Sequence, residues 1–274
     1  MNQEHVSDPN FSFAFQPIVN ALTYEVVSYE ALIRGAHHEG ASDVLSKVPV
    51  DRLYLFDQAA RVQAISLAAQ LGITCNLNLN FFPLSLYASA ESILSTIRAA
   101  EKSLLPIHNI VLELVEGEVI GDQARFADLI NEYRALGVKV AIDDFGAGYS
   151  GLNLLANFQP DQIKLDMCLI DGIEGHGPRQ SIVRAILQVC RDLEIDVIAE
   201  GVETVGEYKW LLNAGVKLFQ GYLFARPAFE SFPFVHYPES GGGVLVAKSG
   251  LPDVCEVGQL KRHQNDRRNH GAAA

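Results

Sequence analysis

The chain is poor in cysteine, short of basic residues and without a long apolar run. Its four cysteines, Cys75, Cys168, Cys190 and Cys255, form no CxxC or CxxxH arrangement. A structural zinc site or a disulfide framework is thereby disfavoured, and buried thiols are the expectation. No segment approaches the roughly 20 apolar residues that cross a bilayer. The first ten residues, MNQEHVSDPN, are polar and contain no apolar signal core, so no membrane insertion and a cytoplasmic location are the default expectation. Twenty-one Lys and Arg stand against 33 Asp and Glu, for a net charge of −12. That balance lacks the basic face with which proteins grip duplex nucleic acid. It still allows a phosphate ligand, provided metal ions supply positive charge locally. No internal repeat is visible.

What is present is enough apolar sequence for one large core: 274 residues, 49% hydrophobic, suited to a single barrel-sized domain. Short β-branched stretches at 11–19, 25–33, 73–80, 110–114, 138–142, 162–165, 196–199 and 216–219 read as strands. Between them, 52–71, 92–104, 123–136, 179–193 and 205–213 carry apolar residues at helical spacing. Gly72, Gly137 and Gly215 each follow a helical stretch and precede a strand, as left-handed C-caps do. Eight strands alternating with helices predict an α/β fold, a single (β/α)8 barrel. The 20–24 turn is too short for a parallel crossover, so the first two strands should be antiparallel. The domain reading is a flexible N-terminus over 1–10, a barrel over 11–237, and a disordered or loosely docked tail over 238–274, whose last residues, KRHQNDRRNHGAAA, are polar and basic.

The polar residues fall at the C-terminal ends of these strands: Glu30, Asn80, Glu113, Asp143 with Asp144, Lys164 with Asp166, Glu200 and Gln220. In a closed parallel barrel those ends share one mouth, where barrel enzymes keep their chemistry. A single strand-end acid would be an ordinary solvated group; the set at one end is not. Carboxylates gathered so closely require cations or protons among them. Asp, Glu and Asn oxygens suit Mg²⁺ or Mn²⁺, and Ca²⁺ can bind as well. Adjacent Asp143 and Asp144 would point to opposite faces of a strand. Both reach one site only where the chain turns, and Gly146 and Gly148 are expected to supply that turn. Lys164 is either a salt-bridge partner of Asp166 or Asp144 or a site residue, and its place on the strand favours the latter. His37 and His38 are read as solvent-exposed, Trp210 as structural, and Tyr222 and Phe224 as either base-stacking or core.

Seven motifs occur in order: QPI at 16–18, YEALIRG at 29–35, LELVE at 112–116, DDFGAGYSGL at 143–152, IKLD at 163–166, AEGVET at 199–204 and QGYLFARP at 220–227. This set resembles the EAL-domain cyclic di-GMP phosphodiesterases from about residue 11 to 227. The resemblance implies a TIM-like barrel of EAL type that hydrolyses cyclic di-GMP to linear pGpG with two divalent cations, Mg²⁺ or Mn²⁺, Ca²⁺ binding and inhibiting. It implies metal ligands Glu30, Asn80, Glu113, Asp143, Asp144 and Glu200, and a catalytic set of Lys164, Glu30, Glu203 and Gln220. Lys164 would orient the attacking water or act as its base, and Gln220 would hold solvent. Gln16, Leu32, Arg34, Asp166 and Glu203 would contact substrate, with Arg34 on a phosphate. Glu116, Phe145 and Gly146 would support the DDFG loop, and a homodimer is implied. In CNLNLNFFP, Asn80 is preferred over Asn78 because it stands at the strand end. The family commonly has Thr at Ala147 and Ser at Gly151, which bears on rate or regulation. Two rival readings are a cyclic di-GMP receptor that does not cut and a protein-interaction scaffold.

Overall fold

The computed structural model describes residues 9–82, 91–115, 123–148, 151–238 and 244–247. The chain opens with two long strands, β1 (Phe11–Asn20) and β2 (Glu25–Gly35), paired antiparallel with Gln16 opposite Glu30. Six shorter strands follow: β3 (Asn76–Asn80), β4 (Ile110–Val115), β5 (Lys139–Phe145), β6 (Gln162–Leu165), β7 (Asp196–Ala199) and β8 (Leu218–Phe219). From β2 to β8 each pairs parallel with the next, and β8 pairs antiparallel with β1. The eight strands therefore close into a barrel, with β1 alone running against the rest.

Helices return the chain between strands, among them α1 (Leu53–Gln70), α2 (Glu91–Lys102), α3 (Gln123–Ala135), α4 (Gly177–Asp192) and α5 (Val205–Ala214). α5 starts at a capping box in which Thr204 and Glu207 satisfy each other's backbone N–H groups. Gly72, Gly137 and Gly215 all have positive φ, as the helix-to-strand punctuation predicts. The core lies between helices and barrel wall and includes Phe15, Ile65, Leu77, Leu112, Ile142, Ile163 and Phe219. One charged pair is buried in this shell. Arg61 bonds Asp57, Thr96 and Ser92 and lies 4.4 Å over the Phe81 ring, so it is hydrogen-bonded as buried charge must be.

Strand β3 starts at Asn76, three residues after the apolar run suggested. Cys168 is exposed, Cys75 half-buried and only Cys190 buried, so the expectation of buried thiols fails for Cys168, which sits on the short helix Met167–Ile170 at the barrel's outer lip; Cys255 lies outside the described residues. Within the 238–274 tail, the strand Val244–Ala247 pairs antiparallel with the strand Val235–Pro238.

The end of the barrel sequence also fixes a site residue. Gln220 N donates to Ala199 O at 2.8 Å, and Val202 N donates back to Gln220 O at 3.1 Å. This leaves Gly221 against the Val202 backbone, where an added Cβ would overlap Val202 O and N. Gly221→Ala is expected to cost about 1–3 kcal/mol or more through overpacking and to displace Gln220. A melting temperature equal to wild type would contradict that packing.

Candidate metal centre

Alternation along each strand turns every second side chain into the barrel. Residues two apart therefore stack along the axis: Gln16 on β1, Glu30 on β2, Asn78 and Asn80 on β3, Glu113 on β4, Asp143 on β5, Lys164 on β6. Glu200 and Gln220 follow β7 and β8. All belong to the mouth formed by the strands' C-terminal ends.

At its centre is the buried Lys164 ammonium. Nζ lies 2.8 Å from Asp143 Oδ1, 3.0 Å from Glu200 Oε2, 3.2 Å from Glu30 Oε2 and 3.3 Å from Glu113 Oε1. The lysine thus pairs with four acids from four strands or strand ends, and neither Asp166 nor Asp144 is among them. Gln220 Nε2 donates to Glu30 Oε2 at 2.7 Å, and Asn80 Nδ2 donates to Glu30 Oε1 at 3.2 Å.

Asp143 and Asp144 share the site by a route the glycines do not explain. The β5–β6 register shifts between Ile142 and Phe145, and Asp144 itself has φ 53°. A bulge with a left-handed residue inside the strand turns both carboxylates to one side. Phe145 is buried, and Gly146 follows with φ 100° against the Leu169 side chain.

The acids fall into two overlapping groups, Glu30–Glu113–Asp143 and Asp143–Asp144–Glu200, each with ligand oxygens within 4.8 Å of one another. The donors are hard carboxylate oxygens, as Mg²⁺, Mn²⁺ and Ca²⁺ require. Glu113 Oε2 and Gln220 Oε1 are buried acceptors without a hydrogen-bond partner, and buried acceptors are normally satisfied. On both counts the residues fit a divalent cation.

Burial and mutual crowding shift the protonation of these acids. Burial pushes Glu200 up to about 8, against the pull of Lys164. Burial, then the charge of Glu30, raises Glu113 well above the carboxylate range. Burial likewise raises Asp144, with Asp143 adding to it. Glu30 goes the other way. Burial would raise it, but Lys164 and the donors Gln220 and Asn80 together hold it low. Burial alone would depress Lys164; the four acids outweigh it and keep the group protonated.

Other expected site residues are placed as follows. Gln16 is buried, donating to Ala225 O at 3.2 Å and accepting from Gln220 Nε2 at 3.4 Å. Leu32 and Arg34 are partly buried further along β2, and Arg34 Nη1 donates to Ile33 O at 2.8 Å. Asp166 caps the 167–170 helix by accepting from Cys168 N at 2.8 Å. Glu203 is exposed on the loop after β7 and stands outside both acid groups. Glu116 lies outside the described residues. Phe224 is core, whereas Tyr222 is exposed with the Arg226 guanidinium 4.0 Å over its ring.

Sequence reasoning missed Ser28. Its hydroxyl donates to Asn78 Oδ1, and Asn78 Nδ2 donates to Glu113 Oε1 at 2.8 Å. Asn78 therefore spends its oxygen on Ser28 and its amide on Glu113, whereas Asn80 holds Glu30 near the open end. Ser28, Glu30 and Asn78 share the inward face, and that parity was the available signal. Asn78→Ala is expected to cost about 1–3 kcal/mol by stranding buried polar groups and to weaken Mn²⁺ binding. Unchanged Mn²⁺ affinity by calorimetry would show that Glu113 needs no such support.

The family model described as "EAL domain" matches residues 1–227. A standalone EAL protein from Vibrio cholerae, solved bound to cyclic di-GMP, is 49% identical with TM-score 0.80, covering 83% of this chain and 96% of that one. Klebsiella pneumoniae BlrP1, solved with manganese and cyclic di-GMP, is 38% identical with TM-score 0.78, over 83% of this chain and 58% of that one. The blue light- and temperature-regulated antirepressor BluF of Escherichia coli is 35% identical over 84% of this chain and 57% of its own length. The chain thus spans little more than half of BluF.

Proposed function

The chain belongs to the EAL-domain family, and from that premise we propose that it is a metal-dependent phosphodiesterase that hydrolyses cyclic di-GMP to linear pGpG. The observation that carries the proposal is the buried lysine set among acids that form two carboxylate groups sharing Asp143. The similar Vibrio and Klebsiella proteins, solved with cyclic di-GMP and in one case also manganese, support the substrate and the metal.

Glu30, Asn80, Glu113, Asp143, Asp144 and Glu200 would hold two divalent cations, Mg²⁺ or Mn²⁺. Such cations offset phosphodiester charge and lower the pKa of water. The protein's own residues do the rest. Lys164 orients the attacking water from the floor of the mouth. Gln220, pinned by Gly221 and Val202, would hold a water or metal-bound solvent with its buried, unpartnered carbonyl oxygen. Arg34 receives a ligand phosphate, and Glu203 and Asp166 contact the substrate. Gln16 acts by holding Gln220. The exposed apolar Leu152 and Met167, near the 143–148 turn, support a homodimer.

The resemblance to an antirepressor favours a second reading, in which the domain works by binding without cutting. Incubation with cyclic di-GMP and Mg²⁺, with and without EDTA, separates the two. Formation of pGpG that EDTA abolishes is the expected result; binding with no linear product would sink the enzyme reading.

A further inference from the structure

The opposite end of the barrel carries a second polar site. The interior of a barrel of this size is normally filled with packed side chains. Here the base is open, and a cavity of about 380 Å³ lies among the strands' first residues. That volume is in the range of small-ligand sites.

The same two-residue parity that builds the mouth builds this floor. Asn76 is the first residue of β3, four before Asn80. Lys139 opens β5, four before Asp143. Gln162 opens β6, two before Lys164, and Asp196 opens β7, four before Glu200. All four line the cavity, joined at the rim by Arg191 and Lys217. Three cations thus face one carboxylate, in a chain whose net charge is −12. Among the described residues, neither Lys139 nor Lys217 makes an ion pair, and the side-chain amides of Asn76 and Gln162 have no recorded hydrogen bond. Arg191 donates to Gln188 Oε1 at 2.8 Å from one nitrogen only.

We propose that this basal cavity binds a compact polyvalent anion, a phosphate or small polycarboxylate. Lys139, Lys217 and Arg191 supply charge-assisted bonds, and Asn76 and Gln162 supply amide donors. The assignment is independent of cyclic di-GMP chemistry, since it uses no residue of the metal centre.

The test is calorimetric titration of inorganic pyrophosphate into the full chain, in metal-depleted buffer at fixed ionic strength. Saturable one-to-one binding is expected. The Lys139→Ala/Lys217→Ala double variant should weaken it about tenfold or more, and the mouth variant Arg34→Ala should leave it unchanged. If the double variant does not fold, Lys217→Glu alone, at an exposed position, must show the loss. Absence of saturable heat, wild-type affinity in the basal variants, or loss of binding in Arg34→Ala would each overturn the proposal.

Discussion

Lys164→Ala should abolish hydrolysis and, in the same protein, lower the stability of the metal-free form far more than that of the metal-loaded form. The lysine is the one cation found within 4 Å of Glu30, Glu113, Asp143 and Glu200 among the described residues. Removing one partner from a buried ion pair costs about 3–5 kcal/mol because the other charge is left unpaired. Part of that cost is relieved when the acids take up protons. Divalent cations would replace the missing charge, so saturating Mn²⁺ should restore most of the melting temperature. It should not restore turnover, because the group proposed to orient water is gone. A loss of about a hundredfold to ten-thousandfold in kcat is expected for a proton-handling residue. The two readouts separate structural from chemical roles. Turnover within about tenfold of wild type would contradict the assignment. Equal destabilisation with and without Mn²⁺ would show that the lysine does not stand in for cations.

The same geometry addresses whether Lys164 acts as a base. Burial depresses its pKa, and the surrounding acids raise it past its ordinary value. Once bound cations offset those acids, the depressing influence of burial remains. The surrounding acids therefore hold the lysine as an ammonium, and bound cations would make it a better base.

Metal affinity should rise with pH between about 6 and 8 and level off above, with protons released on binding. The raised groups determine the sign. Burial pushes Glu200 up to about 8, so near neutral pH it holds a proton that a cation must displace, and the upward shift of Glu113 acts in the same direction. Each displaced proton contributes about a tenfold gain in affinity per pH unit below its pKa. Stability of the metal-free protein runs the other way. A carboxyl raised on folding binds its proton more tightly in the native state. It weakens the fold as pH climbs from the ordinary carboxylate value toward 8. Thermal melts at pH 6 and 8.5 should show the metal-free form losing stability and the Mn²⁺ form gaining it. An Mn²⁺ affinity independent of pH, with no proton release by calorimetry in buffers of different ionisation enthalpy, would mean that the acids are already ionised without metal.

How much of this was readable in the sequence follows from which interactions are local. Parity along a strand is local, so the inward positions of Glu30, Asn80 and Lys164 could be read directly, as could the antiparallel first hairpin from its short turn. The left-handed Asp144 could not. Alternation predicts opposed side chains at 143 and 144, and only the bulge against β6 forces the exception. Ser28 offered only its inward parity. Its role depends on Asn78 and Glu113 standing beside it on β3 and β4. Cys168 was misjudged because burial depends on which side of a short helix meets the barrel, and four residues carry too little periodicity to say.

By itself, then, the sequence determined the eight-stranded alternation, the crowding of acids at strand ends, and the family. The tertiary structure decided the pairing. Closure through β1 brings carboxylates from distant strands around the Lys164 ammonium, and at the other end it leaves Lys139 and Lys217 without an ion pair among the described residues, around an open floor. Contacts between residues more than a hundred positions apart are set by the register and stagger of the closed sheet, and no local pattern in the chain records those distances.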